Sequence, residues 1–206
     1  MTSERAGGVA LIAAAAGTVL AMSHHPTGAH SGVLGAAVHT AMILLVGLTA
    51  FGFAAFAAVR GPARALILAG AVAYALALFG HVGAATINGF VVPALVGRDG
   101  TPVSHDIFLL AWEANQALAK LGVVAGGLAI LLWSIDFLGR AGREARAIGI
   151  AGLIAGAAPP ALLLAGLIEM NVAGAFIAYA LQGAWGAAVG FHMARGRAGA
   201  NPQPAG

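Results

Sequence analysis

The chain has 206 residues, of which 60% are apolar and only 8% charged, with a formal net charge of +3 and a mean hydropathy of +0.92. A soluble domain carries roughly 25% charged residues, so this composition cannot cover itself with a water-compatible surface, and its apolar runs leave no room for a separate soluble domain. The absence of cysteine removes disulfides, thiolate metal centres, iron–sulfur clusters and cysteine redox chemistry, and the sparse basic residues sit in short loops rather than on an aromatic-interleaved face that would fit nucleic acid.

A membrane-crossing helix needs about 20 mainly apolar residues. Six stretches qualify, at approximately 7–22, 33–59, 65–95, 107–138, 147–168 and 172–193, and together they form one transmembrane domain over 1–195. The expected fold class is all-α: a polytopic bundle of six transmembrane helices in the lipid bilayer. The first span is short and ends in Ala21-Met22-Ser23, a small-x-small pattern like that of a signal-peptidase site. Cleavage there would remove residues 1–23 and leave five helices. The loop that follows, His24-His25-Pro26-Thr27-Gly28-Ala29-His30, offers imidazoles that, with His105, are candidate ligands for Cu or Zn; a solvated histidine-rich loop has the same composition.

The second span carries His39, roughly 9 Å below its outer start, and the third carries His81, roughly 24 Å above its inner start, at 1.5 Å per residue. In a core of about 30 Å the two imidazoles are expected at similar depth on adjacent helices. They could share a metal, ligate a haem b, hold a quinone, or simply bond each other and backbone carbonyls. Asn88 stands near the outer end of the third span. The fourth opens with Trp112-Glu113-Ala114-Asn115-Gln116-Ala117-Leu118-Ala119-Lys120. Here Glu113, Gln116 and Lys120 fall at i, i+3 and i+7, one helical stripe. A charge near the bilayer centre costs about 2.5–3.5 kcal/mol, so Lys120 is either a snorkelling anchor or part of a polar cavity with Glu113 and Gln116. Asp136 is expected to pair with Arg140 at i+4.

In the fifth span Pro159-Pro160 removes helical hydrogen bonds and frees carbonyls that need partners. The pairs Gly122/Gly126, Gly152/Gly156 and Gly186/Gly190 have the G-x-x-x-G spacing, used for packing within the bundle or for an oligomer. Residues 196–206 read as a disordered polar tail. Lys and Arg accumulate in cytoplasmic loops. Alternating spans place Arg5, Arg60, Arg64, Arg140, Arg143, Arg146, Arg195 and Arg197 on one side and only Arg98 on the other. The expected arrangement is therefore a multi-pass protein of a bacterial inner membrane with both termini cytoplasmic.

Asn88-Gly89-Phe90-Val91-Val92-Pro93-Ala94-Leu95, followed by Glu113-Ala114-Asn115-Gln116-Ala117, resembles small bacterial membrane proteins of the anthrone oxygenase-like group, which carry a Val-x-Pro-Ala-Leu helix end and then an Asn-containing helix. That group typically has four spans, not six. The resemblance implies that Asn88 and Asn115 line one pocket, with cofactor-independent oxygenation as its chemistry. The whole chain resembles uncharacterised bacterial six-helix inner-membrane proteins that open with a helix, a His-His-Pro loop and a second His-bearing helix.

The Gly-x-Ser-Gly nucleophile of rhomboid proteases, the His boxes of membrane di-iron hydroxylases, a P-loop and a Rossmann glycine fingerprint are all absent from the sequence. The residues assign no catalytic group and leave open whether the protein is an enzyme. They lead to an outward-open pocket between the second, third and fourth helices. His39, His81, Asn88, Glu113, Asn115, Gln116 and Lys120 would line it, with His24, His25, His30 and His105 at its mouth. The expected role is to bind a small molecule or metal ion from the periplasm. A redox protein with haem b or quinone at His39 and His81, and a structural or assembly subunit, remain as alternatives.

Overall fold

The structure, a computed structural model, describes residues 1–25, 32–96 and 103–199. These residues form α1 (Ser3–Ser23), α2 (Gly32–Arg60), α3 (Ala65–Thr86), a π-helical stretch (Ile87–Val91), α4 (Val92–Val96), α5 (His105–Leu138), α6 (Arg143–Leu164) and α7 (Val172–Ala194), with no strand among them. The third span is α3, the π-helical stretch and α4 run together, so six helices are long and apolar enough to cross a membrane. The chain is a multi-pass membrane protein. Its boundaries differ from the expected ones by a few residues, mainly where polar residues extend a helix past its apolar part. Thus α1 starts on a cap in which the Thr2 hydroxyl accepts from the Arg5 amide at 3.4 Å, and Asn171 caps α7 by accepting from the Gly174 amide at 3.0 Å.

Large apolar side chains point outward, Leu44, Phe79 and Leu110 among them, while much of the interior is Ala and Gly. That inversion suits lipid, where apolar burial gives no advantage and close backbone contact drives packing. The helices form a closed ring in the order α1, α2, α3, α5, α6, α7 and back to α1, with α3 on α5, α1 on α7, α5 on α6 and α1 on α2 the most extensive interfaces. Glycines set the closest crossings. A Cβ on Gly8 would stand 2.5 Å from the Gly190 carbonyl, and one on Gly80 2.6 Å from the Gly122 amide. Gly156 of α6 lies against Gly127 of α5, where a Cβ would come 2.7 Å from the Gly127 carbonyl.

This last crossing explains the prolines. The α6 helix continues through Pro159 and Pro160. Pro160 cannot donate to the Gly156 carbonyl, and that freed oxygen faces the Gly127 backbone, a Cα–H···O arrangement. All three G-x-x-x-G pairs face neighbouring helices of the same bundle. The contacts they make are internal to the bundle.

One end of the ring is ionic. Arg60 pairs with Asp136, its Nε donating to Oδ2 at 2.9 Å, and Arg64 approaches Oδ1 at 2.6 Å. The arginines at the end of α2 and the start of α3 reach Asp136 across the ring, partners that the i+4 spacing to Arg140 did not include. Glu144 binds His192 at 3.1 Å and also Arg197. The tail residues described, as far as 199, pack against the bundle. Ala198 is buried, its amide donating to Glu4 at 2.7 Å and its carbonyl accepting from Arg60 at 3.2 Å.

Candidate functional site

Between α1, α2, α3, α5 and α7 lies a cavity of about 690 Å³, to which α6 contributes nothing. Its floor is Phe53, Tyr74, Ile130 and Gly186. Beneath that floor the ring is filled by packed aromatics. Phe53 lies 4.9 Å from both Tyr74 and Trp133, and Trp133 stacks on Trp185 at 6.3 Å between ring centroids. From this layer the cavity runs to the opposite end of the ring, where His25, His39, Asn88, His105 and Trp112 stand around it.

Two glycines seat the cavity's two intramembrane histidines. A Cβ on Gly89 would fall 2.5 Å from the His39 Cβ, and one on Gly122 would fall 2.5 Å from the His81 Cε1. The His39 Nδ1 donates to the Gly35 carbonyl at 2.7 Å, because a carbonyl can only accept, and so its Nε2 presents a lone pair. That Nε2 faces the His25 Nε2 at 3.3 Å, the rings nearly perpendicular. The His81 Nδ1 lies 3.4 Å from the Tyr179 hydroxyl. Asn115 donates through Nδ2 to the Ala84 carbonyl at 2.8 Å, and Gln182 through Nε2 to the Val123 carbonyl at 3.0 Å. Each amide thus keeps an acceptor oxygen at the cavity wall. The π-helical stretch places Asn88 there too. Pro93 has no amide proton to continue an α-helix, and the Val92 amide bonds back to Ile87 in the wider turn.

Of the residues expected from the sequence, His25, His39, His81, Asn88, His105 and Asn115 line this one cavity. His24 does not, since its ring bonds the Leu20 carbonyl and the Ser23 hydroxyl at an exposed position. His30 falls outside the described residues. Glu113 and Lys120 are corrections: both are exposed on the outer surface of α5. Gln116 is buried but lies outside the cavity, donating to the Met170 carbonyl at 3.2 Å. The cavity face of α5 carries Phe108, Trp112, Asn115, Ala119 and Gly126; at 100° per residue the stripe of Glu113 and Lys120 is turned away from it. His39 and His81 are likewise not level. His39 packs against Gly89, eight residues beyond His81, which sets the two histidines about 12 Å apart along the helix axis.

Tyr179 and Gln182 of α7 complete the wall and were not singled out from the sequence. The signal was there, as two large polar side chains of an apolar helix, three residues apart and with Gln182 four before Gly186, on one face. Among the described residues no Asp, Glu, Lys or Arg lines the cavity. Comparisons of the chain with protein-family models, with curated proteins and with solved structures give no match.

Proposed function

We propose that the cavity is a binding site for a small, uncharged, mainly apolar molecule bearing one or two carbonyl or hydroxyl groups, the chemistry of a lipid-soluble quinone or a related aromatic ketone. The observation that carries this reading is the lining. It combines an apolar wall with His81, Tyr179, Asn115, Gln182 and Asn88 and, among the described residues, holds no ionised carboxylate, ammonium or guanidinium. A charged ligand would have to give up its hydration there without a counter-charge, which is costly. A neutral one would find apolar contact and a few fixed hydrogen-bonding groups, in a volume that suits a drug-sized molecule.

The test uses purified full-length protein in detergent and a panel of neutral quinones and aromatic ketones, read by ligand-induced thermal stabilisation and by equilibrium binding. Ala119→Phe fills the cavity and should abolish binding. His81→Ala and Tyr179→Phe should each weaken it about 10-fold, equivalent to about 1.4 kcal/mol. Lys120→Met, on the outer surface, serves as the control and should leave affinity unchanged. Equal stabilisation of the wild type and Ala119→Phe by every compound would sink the proposal.

We further propose that the arginine end faces the cytoplasm of a bacterial cell and that the cavity opens toward the periplasm. Support comes from the arginines, which gather at the ends of α2, α5 and α7 and at the starts of α1, α3 and α6, as the positive-inside rule requires. Reporter fusions after Arg60, Arg143 and Arg197 should then read cytoplasmic, and one after Asp99 periplasmic. A periplasmic C-terminus would reverse the assignment.

A further inference from the structure

We propose that His25 and His39, with thioether ligands from Met22 and Met42, form a Cu(I) site at the histidine end of the cavity. The site lies at the histidine end of the same cavity and is argued from its own donor atoms, not from the ligand proposed for the cavity.

The geometry of the imidazoles comes first. Two nitrogens held about 2.0–2.1 Å from a common ion at the tetrahedral angle stand about 3.3 Å apart, and the His25 and His39 Nε2 atoms are 3.3 Å apart. That spacing lies at the long end for a hydrogen bond donated by N–H. His39 is buried, and its other ring nitrogen is tied to the Gly35 carbonyl. This is the outer bond by which metal-ligating histidines fix their tautomer and aim the remaining lone pair. With His39 so fixed, the proton between the two rings sits on the His25 Nε2. An ion bound between the two rings displaces that proton from the His25 Nε2.

The neighbouring side chains choose the ion. Among the described residues no three His or carboxylate side chains gather where they could hold a metal, which disfavours Zn(II) and harder cations. Asn88 and His105 also stand at this end, and the soft donors on the cavity wall are the thioethers of Met22 and Met42. Met42 follows His39 by three residues on the same face of α2. The His25 amide bonds the Met22 carbonyl at 3.2 Å, folding His25 back over the end of α1. Both methionines line the cavity and belong to one apolar cluster with Met170. Thioether and imidazole together, with no carboxylate, make a soft and neutral donor set suited to Cu(I).

The experiment titrates detergent-solubilised full-length protein with Cu(I) under reductant against a chromogenic Cu(I) chelator, with Zn(II) run in parallel. The wild type should retain one Cu(I) per chain. His25→Ala and His39→Gln should each lose at least about 10-fold in affinity. Met22→Leu and Met42→Leu, which keep volume and apolar packing, should weaken Cu(I) without affecting Zn(II). Copper-edge X-ray absorption should show both nitrogen and sulfur scatterers, a readout that does not depend on how well any variant folds. His24→Ala is the control and should bind as the wild type does. The proposal is overturned if the wild type yields its copper as readily as the His25→Ala/His39→Gln double variant. It is overturned equally if both Met→Leu variants bind Cu(I) as tightly as the wild type, or if the absorption spectrum shows no sulfur.

Discussion

Gly8→Val should prevent the bundle from assembling. A Cβ at Gly8 would stand 2.5 Å from the Gly190 carbonyl and 2.7 Å from the Ala194 amide, both main-chain atoms of α7. Overpacking a core of side chains costs typically about 1–3 kcal/mol, because rotamers give way. Here the obstacle is backbone on backbone, so α1 and α7 must separate, and the ring opens where it closes on itself. The measurement is the yield and unfolding temperature of the detergent-solubilised variant. Gly47 supplies the comparison, since a Cβ there meets nothing within 4 Å. Gly47→Ala should therefore be neutral or stabilising, by up to about 1 kcal/mol from helix propensity. If Gly8→Val unfolds at the wild-type temperature, the crossing of α1 and α7 is not as close as described.

Asp136→Ala should be the most damaging loss of a single polar group. The carboxylate is fully buried, and the Arg60 side chain that pairs with it is 5% exposed. Removing one partner of a buried pair leaves the other charge uncompensated, a cost of about 3–5 kcal/mol. Arg60 also holds the Ala198 carbonyl at 3.2 Å, so the docked tail should loosen with it. Asp136→Asn, which retains an acceptor, should fall between Ala and the wild type. The double variant Asp136→Leu/Arg60→Met should recover much of the loss, because it removes both charges and keeps the volume. Reversible unfolding in a denaturing detergent would measure these variants together with the single changes Asp136→Leu and Arg60→Met. Simple additivity of the Asp136 and Arg60 single changes would show that the pair is not coupled.

The number of spans and their approximate limits were legible because a helix in lipid must satisfy its own backbone and be apolar around its whole circumference. Length and composition suffice to see that. The site was legible only in part. His39, His81, Asn88 and Asn115 stood out as polar residues where polarity is expensive, and the cavity holds all four. Glu113 and Lys120 stood out for the same reason, yet they face outward. Helical spacing shows that residues share a stripe but not which way the stripe faces, and in a bundle with an apolar exterior the usual inside–outside contrast is missing. Tyr179 and Gln182 were hidden for the converse reason. Either one alone is an ordinary member of an apolar helix, and only the closing of the ring, which brings Tyr179 to His81 of α3 and Gln182 to Val123 of α5, makes them a wall. The pairing of His25 with His39 depends on how the turn after α1 bends back, which composition does not encode.

The aromatic layer beneath the cavity has a consequence for permeability. Trp133, Phe56 and Phe137 are almost wholly shielded from solvent, and the salt-bridged arginines lie beyond them, so a molecule entering at the histidine end meets a plug rather than a pore. Whatever enters in this conformation must leave by the door it came through. In this arrangement a solute bound in the cavity as proposed would sit at the membrane without opening a path for ions or protons across it.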